Sequence, residues 1–231
     1  MADIFDYISR RGDLTFEQDG FNELDALVLS RLSYLPFDGA VSSCLFDEIT
    51  LEQAAMRVFA TDDYEKNLLW KGDADLLKAT AESKRFGKIL VSGYVNEVES
   101  DVSMQFSAIT FEFLKRNYFI SYRGTDNSLV GWQEDFNMFF TFPLPSQKKA
   151  LIILKRQSVC STENSFSAVT QRAEILRYMP VLLPMKIQEI TLIIFTILTD
   201  PGFLLTKSRT ADFMKSTTES TPLFRSQAFS V

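Results

Sequence analysis

The hydrophobic positions of this chain change period twice, dividing it into a helical first part, a stranded middle and a last third that keeps no period. From Asn22 onward Leu24, Leu27, Val28, Leu32 and Leu35 fall on one helical stripe, with Asn22 placed to cap its start and Pro36 to end it. Thr50 and Gln53 form a capping-box pair for a helix reaching about Phe59, and Thr61 or Asp62 can cap a further one toward Trp70. Leu76, Leu77, Thr80 and Ala81 mark another short helix. Ahead of these, residues 1–20 are polar and include Arg10-Arg11-Gly12-Asp13. They predict an exposed lead-in with one amphipathic element around Ile4 to Ile8.

At Gly87 the period becomes two. Ile89, Val91 and Tyr94 fit a strand, Met104 to Leu114 alternates as a second, and Lys115-Arg116-Asn117 turns the chain into a third at Tyr118. Two antiparallel strands feeding a buried one, behind a set of helices, predict a mixed α/β sheet. The stretch from Tyr118 to Met138 stands out. Its strand breaks at Arg123-Gly124-Thr125-Asp126 and resumes as a polar-capped segment carrying Trp132 and Asp135. A buried strand that ends in a glycine-containing turn with a hydroxyl residue can aim backbone N–H groups at a developing oxyanion. Trp132 reads as core, and Asp135 as a cap or a local partner. A loop with Pro143 and Pro145 then leads into Ser146 to Leu151, the first turn of a helix.

Beyond Leu151 neither period lasts. Residues 152–175 are irregular, Ser and Thr recur from Thr206 to Ser230, and the apolar run Ile190 to Leu198 is shorter than the roughly 20 residues a bilayer requires. That run fits a strand, an interfacial segment or an aggregation-prone stretch.

Composition narrows the chemistry. Histidine is absent from all 231 residues, so no imidazole can act as general base or metal ligand. Cys44 and Cys160 lack metal-ligand spacing and follow no secretory signal, which predicts free thiols in a cytoplasmic setting. Residues 1–150 carry 15 Lys and Arg against 24 Asp and Glu, and residues 151–231 carry 9 against 6. The basic excess of the last third is too dilute for a nucleic-acid surface.

The segments Glu23 to Asp38 and Phe106 to Phe111, and above all Tyr122-Arg123-Gly124-Thr125-Asp126 with Gly131-Trp132-Gln133-Glu134-Asp135-Phe136-Asn137, resemble a bacterial family of lipase-like α/β-hydrolases of unassigned function, distantly similar to class 3 lipases. The resemblance covers residues 1–150 and implies an α/β-hydrolase-like mixed sheet with N-terminal helices. It also implies a serine-hydrolase parent of lipase or esterase type acting on an ester or lipid-like small molecule without a cofactor or metal. Thr125 is then the oxyanion-hole candidate, and Arg123, Gly124 and Asp126 support its turn, Arg123 and Asp126 as a local ion pair. The family's next element is a nucleophile elbow, G-H-S-K-G-G-N-L-A-V-Y, whose serine sits on a strained strand-to-helix turn.

No G-x-S-x-G exists in this chain; Ala168 to Pro180 stands in its place. Joining the third base of each codon to the first two of the next, with allowed choices at degenerate bases, turns Ala168 to Pro180 into G-H-S-K-G-G-N-L-A-V-Y-A. The same shift turns Ile194 onward into I-Y-N-T-D-G-P-G-F, another segment of the family. One frame restores both, which places a slip near Leu151 and predicts residues 151–231 to be an out-of-frame tail without an authentic domain. The expected sheet is therefore incomplete, the last third irregular, and no residue catalytic, Ser165 and Ser167 included. The alternative is an intact protein with a novel tail, a non-catalytic binding or membrane-associating module; the short apolar run argues against membrane contact and for aggregation when exposed. Sequencing the coding DNA through codons 140–170 and on through the elbow is expected to show the elbow in the frame that starts at the third base of each present codon. A coding sequence whose degenerate bases do not spell it would dispose of the slip.

Overall fold

Four short helices form before the first long strand, and three of them start at a capping box. In α1 (Ile4–Arg11) Asp3 and Asp6 exchange side-chain and backbone bonds; Asn22 and Asp25 do so in α2 (Glu23–Leu32), and Thr50 and Gln53 in α3 (Leu51–Phe59). The fourth, α4 (Asp73–Glu82), has no side-chain cap, although Asp73 and Asp75 place negative charge in its first turn. The structure, a computed structural model, describes residues 3–62, 64–124, 128–137, 140–141, 143–160, 166–169, 191–192, 195–196 and 204–205.

Three sequence expectations are corrected in this helical part. No helix runs from Thr61 to Trp70: a single 3-10 turn, Tyr64–Asn67, leads into α4, whose Asp73 carboxylate accepts the Trp70 N–H at 3.1 Å. The buried face of α2 is also rotated from the predicted stripe. Leu24 is 43% exposed, whereas Asp25, Ala26, Val28, Leu29 and Leu32 are buried. A carboxylate lies in the core because Arg85 meets it there. Finally, the polar lead-in is no loose extension. Phe16 is buried, and the backbone around it wraps the Arg85 guanidinium.

Arg85 accounts for all five of its N–H donors. Nε and Nη2 grip the two Asp25 oxygens at 2.7 and 2.6 Å, Nη2 also reaches the Gly20 carbonyl at 3.0 Å, and Nη1 reaches the carbonyls of Asp19, Leu14 and Thr15 at 2.9, 3.3 and 3.4 Å. The ring of Phe16 lies 4.2 Å from the guanidinium carbon. Burial opposes the charge, but Asp25 outweighs it and holds the guanidinium above its ordinary pKa. Asp25 in turn accepts the Asn22 N–H and the Tyr7 hydroxyl, so one buried carboxylate joins α1, α2 and the segment after α4.

The sheet runs β1 (Ile49–Thr50), β2 (Leu90–Glu99), β3 (Met104–Leu114), β4 (Asn117–Tyr122), β5 (Phe166–Val169) and β6 (Thr191–Leu192), side by side in that order. The first four strands pair antiparallel, while β5 runs parallel to β4 and β6 parallel to β5. This is a mixed α/β sheet. The predicted limits of β3 agree with the structure, and the turn into β4 passes through Arg116 at φ +62°, a left-handed conformation that lets so short a connection reverse the chain.

Alternation on β3 separates two cores. Ile109, Phe111 and Phe113 face the four helices together with Phe119 of β4 and Val91 of β2. Met104, Phe106 and Ala108 face the other way, with Ile120 and Tyr122, against Ala150 and Leu154 of α6 (Pro145–Cys160). Two covered faces explain why β3 is buried almost throughout. Irregular structure was expected from residue 152, yet α6 continues unbroken to Cys160. Beyond it the described residues form β5, β6 and the antiparallel pair β7 (Phe195–Thr196) and β8 (Leu204–Leu205). The apolar run Ile190 to Leu198 supplies β6 and β7, and its other residues lie outside the described ones. Among the described residues no helix is long and apolar enough to cross a membrane.

Replacing Arg85 with Met leaves the Asp25 charge and the lead-in carbonyls unmatched, an expected loss of about 3–5 kcal/mol in urea unfolding. Adding Asp25→Asn is expected to recover part of it. A loss no larger than that of an exposed pair, about 1 kcal/mol, would remove Arg85 from its central place. Alkaline unfolding tests the buried phenols. Tyr122 is held above its ordinary value of 10.0 by burial, and burial also pushes Tyr7 up to about 12. A folded pKa above the unfolded one gives stability that is complete below pH 10 and is lost as pH rises through the folded value. Tyr122→Phe should lower stability at pH 8, where it gives up the hydroxyl bond to the Ala150 carbonyl, and should make the decline above pH 10 shallower. An unchanged alkaline slope would place the titration elsewhere.

Candidate functional site

A one-residue irregularity in β2 determines which side chains meet beside the Arg123 turn. Ser92 pairs with Thr110 and Val95 with Ala108, so Gly93 and Tyr94 together face Ile109. This bulge rests on Gly93, whose φ of +61° favours glycine and whose Cβ, if present, would lie 2.5 Å from the Leu45 side chain. Past the bulge the faces exchange. Asn96, which regular alternation from Val91 would send to the α6 side, projects instead to the helical side, opposite Ser107.

Arg123 extends the same rung. Tyr122 pairs with Ala108, and the next residue donates its backbone N–H to the Ser107 carbonyl at 2.9 Å. Asn96, Ser107 and Arg123 therefore stand side by side on one face of the sheet. The Arg123 guanidinium donates through Nη2 to Asn96 Oδ1 at 2.9 Å, and Asn96 Nδ2 donates to both carboxylate oxygens of Asp38 at 3.3 and 3.2 Å. Asp38 also accepts the Tyr94 hydroxyl at 3.1 Å. Burial, with the Asp38 charge adding to it, raises the Tyr94 phenol above its ordinary value and keeps it a donor. Asp38 is placed by Phe37, which is fully buried and meets the Tyr94 ring edge-on at 5.8 Å.

Asp38, Asn96 and Arg123 line a cavity of about 420 Å³. Asn96, Val98 and Arg123 form its sheet side, Tyr34, Pro36 and Asp38 a second wall, and Thr61, Tyr64 and Leu69 a third. The walls are held from behind. Arg31 clasps Asp73 with bonds of 2.8 and 2.9 Å and lies between the rings of Tyr34 and Trp70, 5.2 and 5.4 Å from their centroids. Tyr64 packs edge-on against Phe59 at 5.3 Å.

The predicted site residues divide. Arg123 and Gly124 are in place at the end of β4, and the buried Gly124 offers its carbonyl to Gln105 Nε2 at 3.5 Å. Thr125, the oxyanion candidate, and Asp126, the expected partner of Arg123, lie outside the described residues. Trp132 was expected in the core and is 67% exposed on α5 (Leu129–Asn137), as are Leu129 and Phe136 of the same helix, and Phe136 meets the exposed Phe140 beyond it at 5.4 Å. The residue that anchors α5 is Glu134. Its carboxylate is fully buried and accepts the N–H of Gln105 on β3 and of Ser146 in the first turn of α6. A carboxylate at a helix N-terminus meets unpaired N–H groups and a favourable dipole, so Glu134 turns inward while Trp132 turns out. Sequence reasoning missed Asp38 and Asn96 as site residues. Their only signal was the Gly93 bulge, since each is remote in sequence from the Arg123 turn.

A family model described as Mbeg1-like matches residues 80–218, a span that contains β2, β3, β4, the Arg123-Gly124 turn, α5, α6 and β5. It begins after the Glu23 to Asp38 segment and extends into the part predicted to be out of frame. No curated protein and no solved structure matches the chain. With more than half of its length matched, the chain belongs to the Mbeg1-like family, which is lipase-like.

Proposed function

We propose that the chain is built on a serine-hydrolase plan of lipase or esterase type and that, as its sequence stands, it does not catalyse the reaction. The register of β4 against β5 carries this conclusion. Tyr122 lies opposite Val169 in a parallel pair, so the Arg123-Gly124 turn leaves the sheet beside the end of β5. In α/β-hydrolases the nucleophile follows such a strand, and the oxyanion hole joins the N–H after the nucleophile to one from a neighbouring strand's loop. The shifted frame puts its elbow there: glycine draws on the codons of Ala168 and Val169, and the elbow serine on those of Thr170 and Gln171. This coincidence of β5's end with the shifted-frame elbow supports the hydrolase reading.

Inactivity follows from what the encoded residues lack. Acyl transfer by serine requires a base within hydrogen-bond reach to take the hydroxyl proton. The chain has no histidine and no G-x-S-x-G, and Ser167 lies within β5, not on a strained turn after it. Substrate, in the parent reaction, is an ester or lipid-like molecule.

A fluorophosphonate probe tests both halves of the proposal. The purified chain is expected to remain unlabelled, and a version translated, from about codon 151, in the frame that starts at the third base of each present codon is expected to label at its elbow serine. Labelling of the chain as it stands would overturn inactivity. A folded, frame-restored version that stays unlabelled would overturn the hydrolase assignment.

A further inference from the structure

We propose that the codons of Gln147, Lys148 and Lys149 form a slip site at which a share of ribosomes step back one base and go on to encode the elbow. One message then yields two proteins with a common part through Lys149. The inference rests on the hydrolase reading and its out-of-frame tail, and adds the means by which both frames are used.

The fold limits where the frames part. Side chains as far as residue 149 seat α6 against the sheet in the present frame. Gln147 Oε1 accepts the Leu144 N–H at 2.7 Å, Leu144 itself is 1% exposed, and Lys149 pairs with Glu97 and Glu99 of β2, the latter at 3.1 Å. Contacts this specific mark the present frame as the one in which this part is built. Soon afterwards the other frame makes sense. Joining third bases to the next two turns Leu151 to Leu154 into Leu-x-Tyr-Leu, an apolar spacing that suits a helix. The change therefore falls between codons 149 and 152.

Base identity selects the site within that window. A ribosome steps back one base at low cost where both transfer RNAs it holds find matching bases there, which requires two successive codons that each open on a repeated base. Among codons 148–153 only Lys148 and Lys149 make such a pair: Ala150, Ile152 and Ile153 open on two different bases, and Leu151 stands between them. With adenine as the third base of Gln147 and of Lys148, the run A-AAA-AA-purine lets both lysine anticodons pair again in full. Direction agrees as well. A step back of one base starts each new codon at the third base of a present one, which is the frame that holds the elbow.

Both products keep the seat of α6. In the shifted frame position 150 becomes Ser or Gly, small like Ala150, and position 154 can remain Leu, so the face packed on Phe106, Ala108 and Ile120 changes little in volume. The Tyr122 hydroxyl donates at 3.2 Å to the backbone carbonyl of residue 150, an acceptor that persists whatever the side chain. The four helices, β1 to β4 and the start of α6 are thus common to the two proteins, which differ in whether an elbow follows.

The test is cell-free bacterial translation of the unaltered coding sequence, with mass spectrometry of the products and sequencing of the message. Peptides of the shifted frame, joined at residue 149 to the common part, are expected beside those of the present chain. Recoding the three residues as CAG-AAG-AAG changes no amino acid but puts guanine where adenine must pair again. It is expected to abolish the shifted product and to leave the present chain at its former level. A coding sequence without adenine at either third base, absence of shifted peptides, shifted peptides that survive the recoding, or messages of unequal A-run length would each overturn the proposal. The hydrolase reading fails on a different observation, a folded frame-restored version that stays unlabelled, so the two failures are told apart.

Discussion

A guanidinium buried without access to water is tolerable only where every one of its donors finds an oxygen, and around Arg85 that condition organises the first 90 residues. Asp25 supplies the countercharge and four backbone carbonyls supply the rest. Because the carbonyls belong to residues 14–20, the lead-in must wrap inward, and Phe16 is carried into the core with it. Because the carboxylate belongs to α2, that helix must rotate until Asp25 faces Arg85. Such a pair adds little net stability compared with well-packed apolar residues, but it penalises any arrangement that separates its members. Arg85 therefore fixes the relative placement of α1, α2 and the start of the sheet more than it deepens the energy minimum.

That placement determines the cavity. The loop after α2 brings Tyr34 and Asp38 beside β2, and the second ion pair, Arg31 with Asp73, steadies that wall from behind, the guanidinium lying over the rings of Tyr34 and Trp70. In Asp73 burial outweighs the attraction of Arg31 and raises the carboxyl pKa above its ordinary value. The two ion pairs differ accordingly: Arg85 is enclosed, whereas Arg31 keeps part of its side chain in solvent and forms a lining from behind.

Local chemistry was legible in the sequence and long-range choice was not. The caps of α2 and α3 act over residues at most three apart: the Thr50–Gln53 box and the Asn22 cap were both legible with the helices they start, although the reciprocal bond from Asp25 to Asn22 was not. Strands β3 and β4 were legible because a strict period of two admits few alternatives. The face of α2 was misread because a hydrophobic stripe takes carboxylates to be outside, and only a partner 60 residues away reverses that for Asp25. Trp132 was misread for the complementary reason. An aromatic residue is ordinarily the one to bury, but Glu134 two positions on has the backbone N–H groups of two other elements to satisfy. Asp38 and Asn96, 58 residues apart, become a site only when the fold joins them.

The bulge at Gly93 separates the duties of a single strand. Before it, β2 supplies Val91 to the helical core; after it, the same face receives Asn96 and Val98, which line the cavity. Loss of one residue at this point would leave every side chain intact and yet exchange the two faces of the strand's second half. Glu97, now bonded to Lys149 on the α6 side, would turn toward the cavity, and Asn96 would turn away from it. The identity of the cavity's lining is thus stored as a count of residues rather than in any one of them. Insertions and deletions at residues 92–95 therefore change which side chains line the cavity in a way that no substitution there can imitate.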